Sequence, residues 1–287
     1  MTTLEDVLTE VGRRVSYLRA TPAGVAPAGV APAGVAPAGV APAGDQWIPC
    51  DTLCRRQLDV AIDAGVAERA SSRQVAASLF SQSYAFKVGA VSLAAYVLGM
   101  PWPSPAAIDT SIVLAKGRAT QLSFRCDRLG DPGDPSALGR ALVERHLIAF
   151  SALLRGTVRL GARLVAGNVA AASAAAFRAV EGAARDRGDH TERLAVRERA
   201  QAFFEVQEVR RWLGGTGRFE VVEAGAGGGA GADGWFWTRT SCCLWYQAPG
   251  PEGRTHTCDD CSLITPSDLE QRRRAELAAS LQEGPTA

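Results

Sequence analysis

Apolar residues recur at helical spacing along most of this chain. Leu4, Val7, Leu8, Val11 and Val15 share one face and Thr3 precedes them, which predicts a capped first helix over 4–18. Further helices are predicted over 50–66 and 72–98. The second carries Val75, Leu79, Tyr84, Phe86, Val88 and Leu93 and is expected to be central. Two short runs, 111–115 and 119–125, flank Lys116-Gly117-Arg118 and predict a hairpin with glycine in its turn. Asp134 and Pro135 stand as N-cap and first helical residue of a long helix over 136–154. An alanine-rich helix containing Gly167 and Asn168 runs to about Arg187, where Gly188-Asp189-His190 stops it. A charged helix is predicted over 191–213, ending at Gly214-Gly215, and a short strand over 219–222. Thr265-Pro266-Ser267-Asp268 opens a last helix to about Leu281. The expected class is mainly α with a small β hairpin or sheet (α+β), a helical body followed by a short C-terminal segment.

One tract breaks this pattern. Residues 22–44 repeat PAGVA, and a proline every fifth residue forbids a continuous helix. With no large side chain to bury, the tract reads as disordered, a slippage expansion or a spacer. The organisation expected is an N-terminal helix (1–20), the repeat (21–45), a helical substrate-binding domain (46–223) and a cysteine-bearing segment with the final helix (224–287). A composition that is 47% hydrophobic allows a sizeable core, and a net charge of +1 gives no bulk electrostatic case for nucleic acid. The N-terminus MTTLEDVLTEVGRRV is acidic early and lacks the apolar core of a secretory signal. The most apolar run, 88–100, is too short to span a bilayer. The expectation is a cytoplasmic protein without an integral membrane segment, in a compartment where clustered thiols favour metal over disulfides.

Four cysteines then dominate. Cys242 and Cys243 are adjacent, and Cys258 and Cys261 follow as CxxC, giving C-C-x14-C-x2-C. Thiolate sulfur suits zinc and iron–sulfur clusters. Structural zinc sites favour two CxxC turns, whereas adjacent side chains diverge and reach one tetrahedral metal poorly. A binuclear cluster is a wider target, so a [2Fe-2S] cluster is the favoured occupant and zinc the alternative.

The flanks add a family. Thr238-Arg239-Thr240-Ser241-Cys242-Cys243-Leu244-Trp245-Tyr246, followed by Cys258-Asp259-Asp260-Cys261, resembles the C-terminal signature of the FhuF-like ferric-siderophore reductases. Ser78 to Tyr84 is similar to an early helix of that family, and Arg163 to Asn168 to a segment that usually reads W-G-N. The resemblance covers about residues 70–265. It implies that Cys242, Cys243, Cys258 and Cys261 bind a [2Fe-2S] cluster. It also implies that an Fe(III)–siderophore, of hydroxamate type, is reduced by one electron, with a ferredoxin, flavodoxin or reduced-nicotinamide system as donor. Two features depart from the family: the gap of fourteen residues between the cysteine pairs, with Pro249 to Gly253 as a loop insertion, and Ala166 in place of tryptophan. The other readings are a non-catalytic iron–sulfur redox sensor or electron carrier, and a structural zinc protein.

Arg239, Ser241 and Thr257 are candidates to tune such a cluster, and Trp245, Tyr246 and Asn168 to tune it or touch substrate. Trp235 and Trp237 are expected to pack the small domain or shield the site. Cys50 and Cys54 are expected to lie buried on one helix face, Cys126 to be a core thiol, and His146 to be structural. His256 reads as a loop histidine or a tuner. Gly225 to Gly229 lacks the helix of a dinucleotide fingerprint and reads as loop. Arg272-Arg273-Arg274 reads as a solvated face or a dock for an acidic donor.

Overall fold

The structure is a computed structural model that describes residues 2–18, 20, 46–69, 71–223, 233–249 and 257–283. The PAGVA tract, residues 224–232 of the glycine–alanine loop, residues 250–253 and His256 lie outside the described residues. Helix α1 (Leu4–Arg14) starts where its cap predicts. Asp6 N–H donates to Thr3 Oγ1, and Thr3 N–H donates to the Asp6 carboxylate, a reciprocal cap. Its face of Leu4, Val7 and Val11 joins the same core as the rest of the body. Strand β1 (Trp47–Pro49) leads into a single 3-10 turn at Cys50–Thr52, and α2 spans Arg55–Arg69. The predicted helix over 50–66 therefore starts later. Cys50 is buried in the turn, whereas Cys54 is exposed and precedes α2, its N–H donated to Gln57 Oε1 at 2.9 Å. The two thiols do not share a helix face.

Helix α3 (Arg73–Val97) begins at Ser72, whose hydroxyl accepts from Val75 N–H, and is buried along most of its length. Strand β2 (Trp102–Pro103) follows, then β3 (Thr110–Ala115) and β4 (Arg118–Phe124), which form the predicted hairpin. Its two turn residues, Lys116 and Gly117, both have positive φ (50° and 66°), as a type I′ turn needs. A Cβ at Gly117 would come within 2.3 Å of Gly65 Cα, so α2 and the turn touch backbone to backbone. Strand β1 pairs with β3 to complete a three-stranded antiparallel sheet, and β2 pairs with β5 (Leu129–Gly130). Cys126 follows β4 half-exposed, donating to Asp109 Oδ1 rather than filling the core.

Asp134 caps the next helix as predicted, its carboxylate accepting from Ala137 N–H at 2.8 Å. That helix has three parts: α4 (Pro135–Gly139), a π-helical stretch (Arg140–Leu147) and α5 (Ile148–Thr157). Helix α6 (Ala162–Asp186) packs along α3. Helix α7 (His190–Glu205) is capped by Asp189. The helix predicted over 191–213 breaks at Val206, which is extended, before α8 (Gln207–Leu213). The break lets Val206 and Val209 both close on Gly139, where a Cβ would lie 3.1 and 2.9 Å from their methyls. Strands β6 (Gly217–Glu223) and β7 (Asp233–Arg239) form an antiparallel pair, with Phe219 stacked on Trp235 at 3.8 Å. Helix α9 (Pro266–Glu283) is last. The fold is mainly α with small sheets, and no helix among the described residues is long and apolar enough to cross a membrane.

The π stretch turns His146 into the core. Its Nδ1 lies 2.7 Å from Pro105 O and its Nε2 2.8 Å from Tyr84 Oη, and Tyr84 stacks on Phe150 at 3.9 Å. A neutral ring satisfies both contacts, donating from Nδ1 and accepting the tyrosine proton at Nε2. Burial pushes His146 down to about 4 from its ordinary 6.5. The unfolded chain therefore takes up this proton first as pH falls. The associated stability is complete above about 6.5 and is lost on the way down to about 4. It amounts to roughly 3 kcal/mol. Urea midpoints of the native chain are expected to fall between pH about 7 and about 5 by more than those of His146→Gln. Equal pH slopes for both chains would contradict this assignment.

Candidate functional site

The end of β7 delivers the first cysteine pair, and the turn before α9 delivers the second. Arg239 N–H donates to Asp260 O at 3.3 Å, which ties the two segments together. The Arg239 side chain is fully buried, with a relative exposure of 0%. It donates through Nη2 to Asn168 Oδ1 on α6, and its Nε lies 3.6 Å from the Asp260 carboxylate. Asn168, itself at 0% exposure, spends its amide protons on α3. They point at Ser78 O, Ser78 Oγ and Ser81 Oγ, at 2.8–2.9 Å. Ser78 closes the circuit by donating to Cys243 O at 2.6 Å. The thiol segment is thus fastened to the α3–α6 pair by one buried chain of hydrogen bonds.

Gly167 explains why that approach is possible. A Cβ there would sit 1.9 Å from Ser241 Oγ, so the residue before the cysteine pair rests directly on the α6 backbone. Glycine and asparagine of the segment 163–168 have separate duties: one removes a side chain, the other supplies the tie. Ala166 is buried on the same helix. Thr240 adds a fastening from its backbone N–H to Thr216 O at 2.9 Å.

The thiols are set in two similar turns. Leu244, in the left-handed region at φ 66°, donates its N–H to Cys242 Sγ at 3.3 Å, and Leu263 N–H does the same for Cys261 Sγ at 3.4 Å. In each case the amide two residues on faces the sulfur. Cys243 Sγ and Cys258 Sγ lie 3.5 Å apart across the turns. The Cys258 thiol donates to Cys243, and the Trp245 amide and Arg239 charge assist. Together they draw Cys243 down towards thiolate and hold the proton on Cys258, whose thiol is pushed up. Burial raises Cys242. Cys243 and Cys261 are buried, Cys242 and Cys258 half-buried, and none of the four is in a disulfide.

Among the described residues, no three His, Cys, Asp or Glu side chains are gathered closely enough to grip a metal ion as they stand. Only Cys243 and Cys258 bring their sulfurs together across the turns, and the four do not close a cage. The donor chemistry nevertheless fits a thiolate-bound cluster, on two observations. Four free thiols occupy turns whose amides already face two of the sulfurs. Arg239 Nη1 and Ser241 Oγ are buried beside them with no hydrogen-bond partner. An unpaired buried donor is costly, and a thiolate or inorganic sulfide at this point would receive it.

The remaining candidates divide. Trp235 and Trp237 belong to the hydrophobic core of the body, so they pack. Trp245 is 43% exposed and lines a groove of about 570 Å³ between α3, α6 and the β3–β4 hairpin. Tyr246 accepts from Gln247 Nε2 and meets none of the thiols through a hydrogen bond given by the structure. Thr257 accepts from Arg272 Nη1 at 2.7 Å. The basic run is not a solvated face throughout. Arg273 is buried and donates to Glu220, Trp237 O and Thr238 Oγ1 at 2.7–2.9 Å, which pins α9 to the β6–β7 hairpin. Ser78 and Asp260 were invisible as site residues in the sequence, although both lie inside the segments that carry the family likeness.

Asn168→Ala would leave Arg239, Ser78 and Ser81 without a buried partner. The expected loss is about 3 kcal/mol of unfolding free energy, read from urea melts. An unchanged midpoint would show that the tie carries no load.

Compared with models of protein families, with curated proteins and with solved structures, the chain finds no match.

Proposed function

We propose that this chain is a ferric-siderophore reductase that holds a [2Fe-2S] cluster on Cys242, Cys243, Cys258 and Cys261. The single observation that carries the reading is the pair of amide-backed thiol turns brought together at Cys243 and Cys258. The likeness of 238–246 and 258–261 to the reductase signature supplies the chemistry. When bound, such a cluster supplies electrons one at a time.

The chain's own residues hold, tune and shelter that position. Ser78, Asn168 and Arg239 fix the first turn against the helical body. The Leu244 and Leu263 amides face sulfur, and the Arg239 guanidinium adds positive charge, both of which favour the more negative state. Asp260 partly offsets that charge. The overall change is one electron from a ferredoxin, flavodoxin or reduced-nicotinamide system to Fe(III), giving Fe(II); no atom is transferred. Hydroxamate oxygens are hard donors that hold Fe(III) far more tightly than Fe(II), so the electron loosens the chelate. Seven free cysteines and no membrane-spanning helix among the described residues accord with a reducing cytoplasm as its place.

The purified chain is expected to be reddish-brown, with visible absorption that dithionite bleaches and a hydroxamate ferric chelate restores. Cys243→Ser is expected to remove or reshape that absorption. A bleached protein that no ferric chelate reoxidises would point to a sensor or carrier. A colourless protein holding zinc would overturn the proposal.

A further inference from the structure

The groove beside Trp245 is not needed to hold the thiols, yet it is built into the same helices. Ser78, which donates to Cys243 O, stands on α3 one turn before Gln82 and Ser83, both of which line the groove. At 1.5 Å per residue that is about 6 Å along the helix. Trp245, two residues after Cys243, forms the opposite lip with Ala248. The floor of the groove is therefore the neighbour of the candidate cluster.

Its charge is one-sided. Arg69, Lys87 and Arg118 line it, against Glu68 as the one acidic side chain in the lining. No ion pair engages Lys87 or Arg118 among the described residues, and Arg69 Nη1 is buried without a hydrogen-bond partner. Burial lowers both Lys87 and Arg69, and the nearby Arg118 charge lowers Arg69 further. Like charges held close and partly out of water raise the local positive potential. Phe86 and the exposed Trp245 add aromatic walls, which a flat or greasy chelate arm covers. Gly117 and Gly65 set the position of the cations. Their backbone contact draws the β3–β4 turn onto α2, and so places Arg118 beside Arg69.

We infer that this groove is the chelate-binding site and that it selects ferric chelates of net negative charge, such as hydroxamates that also carry free carboxylates. The inference rests on the reductase reading for the identity of its ligand. Carboxylates on the rim of the chelate meet Arg69, Lys87 and Arg118, and the apolar arms meet Phe86 and Trp245.

Gallium(III) chelates bind without accepting an electron, so they separate binding from reduction. The probes are the gallium complex of a citrate-based dihydroxamate, which is anionic, and that of desferrioxamine B, which is cationic. Calorimetry on the full chain is expected to give at least about tenfold tighter binding of the anionic complex, falling steeply with added salt. Lys87→Gln and Arg118→Gln are each expected to weaken it about tenfold while the visible absorption of the protein stays unchanged. Arg118 is exposed, so its replacement is compatible with folding. Equal affinity for the two complexes, or anionic binding untouched by both substitutions, would overturn the inference. If every ferric chelate failed to reoxidise reduced protein while the anionic gallium complex still bound as expected, the reductase reading would fail and the groove's anion preference would stand.

Discussion

A buried guanidinium with nowhere to go is the constraint on which this structure turns. Arg239 is removed from water at the end of β7, and a charge so placed must find partners or unfold its surroundings. It finds Asn168 on α6 and Asp260 between the last two cysteines. Asn168 in turn is committed to Ser78 and Ser81, and Ser78 to Cys243. One side chain therefore fixes the relation of three distant stretches: the α3–α6 pair, the first thiol turn and the second. Gly167 makes the arrangement sterically possible, and Arg273 of α9 locks the hairpin from its other side.

This constraint couples stability to chemistry. The same guanidinium that ties the segment down lends positive charge to the thiols and leaves its Nη1 without a hydrogen-bond partner beside them. On the proposed reading, the fold pays for a poised donor, and an anionic occupant of the thiol turns returns the cost. The cationic groove on the other side of Trp245 extends the logic outward. On the same proposed reading, positive charge near the sulfurs favours the reduced state, and positive charge in the groove gathers an anionic substrate beside it.

Much of the framework was legible in the sequence because it depends on local rules. Thr3 and Asp134 cap helices as their positions predict, and Gly117 sits in the hairpin turn with positive φ as expected, while the caps at Ser72 and Asp189 become visible only in the fold. The four cysteines and Arg239 were legible through spacing and flanks. What escaped depends on contacts between distant residues. The break at Val206 serves packing on Gly139, and no propensity marks it. Strand β7 hides in an aromatic run without alternation, because four consecutive residues of it are buried. Arg273 looked like surface charge until α9 met the β6–β7 hairpin. Ser78, Asp260 and the cations of the groove come together only in three dimensions, from α2, α3, β4 and the turn before α9.

Four thiols on two tied turns are proposed to hold a binuclear iron–sulfur cluster. Chemical analysis of anaerobically purified protein tests it most directly. Iron and acid-labile sulfide are expected in equal amounts, about two of each per chain. Zinc at about one per chain with no acid-labile sulfide would contradict it.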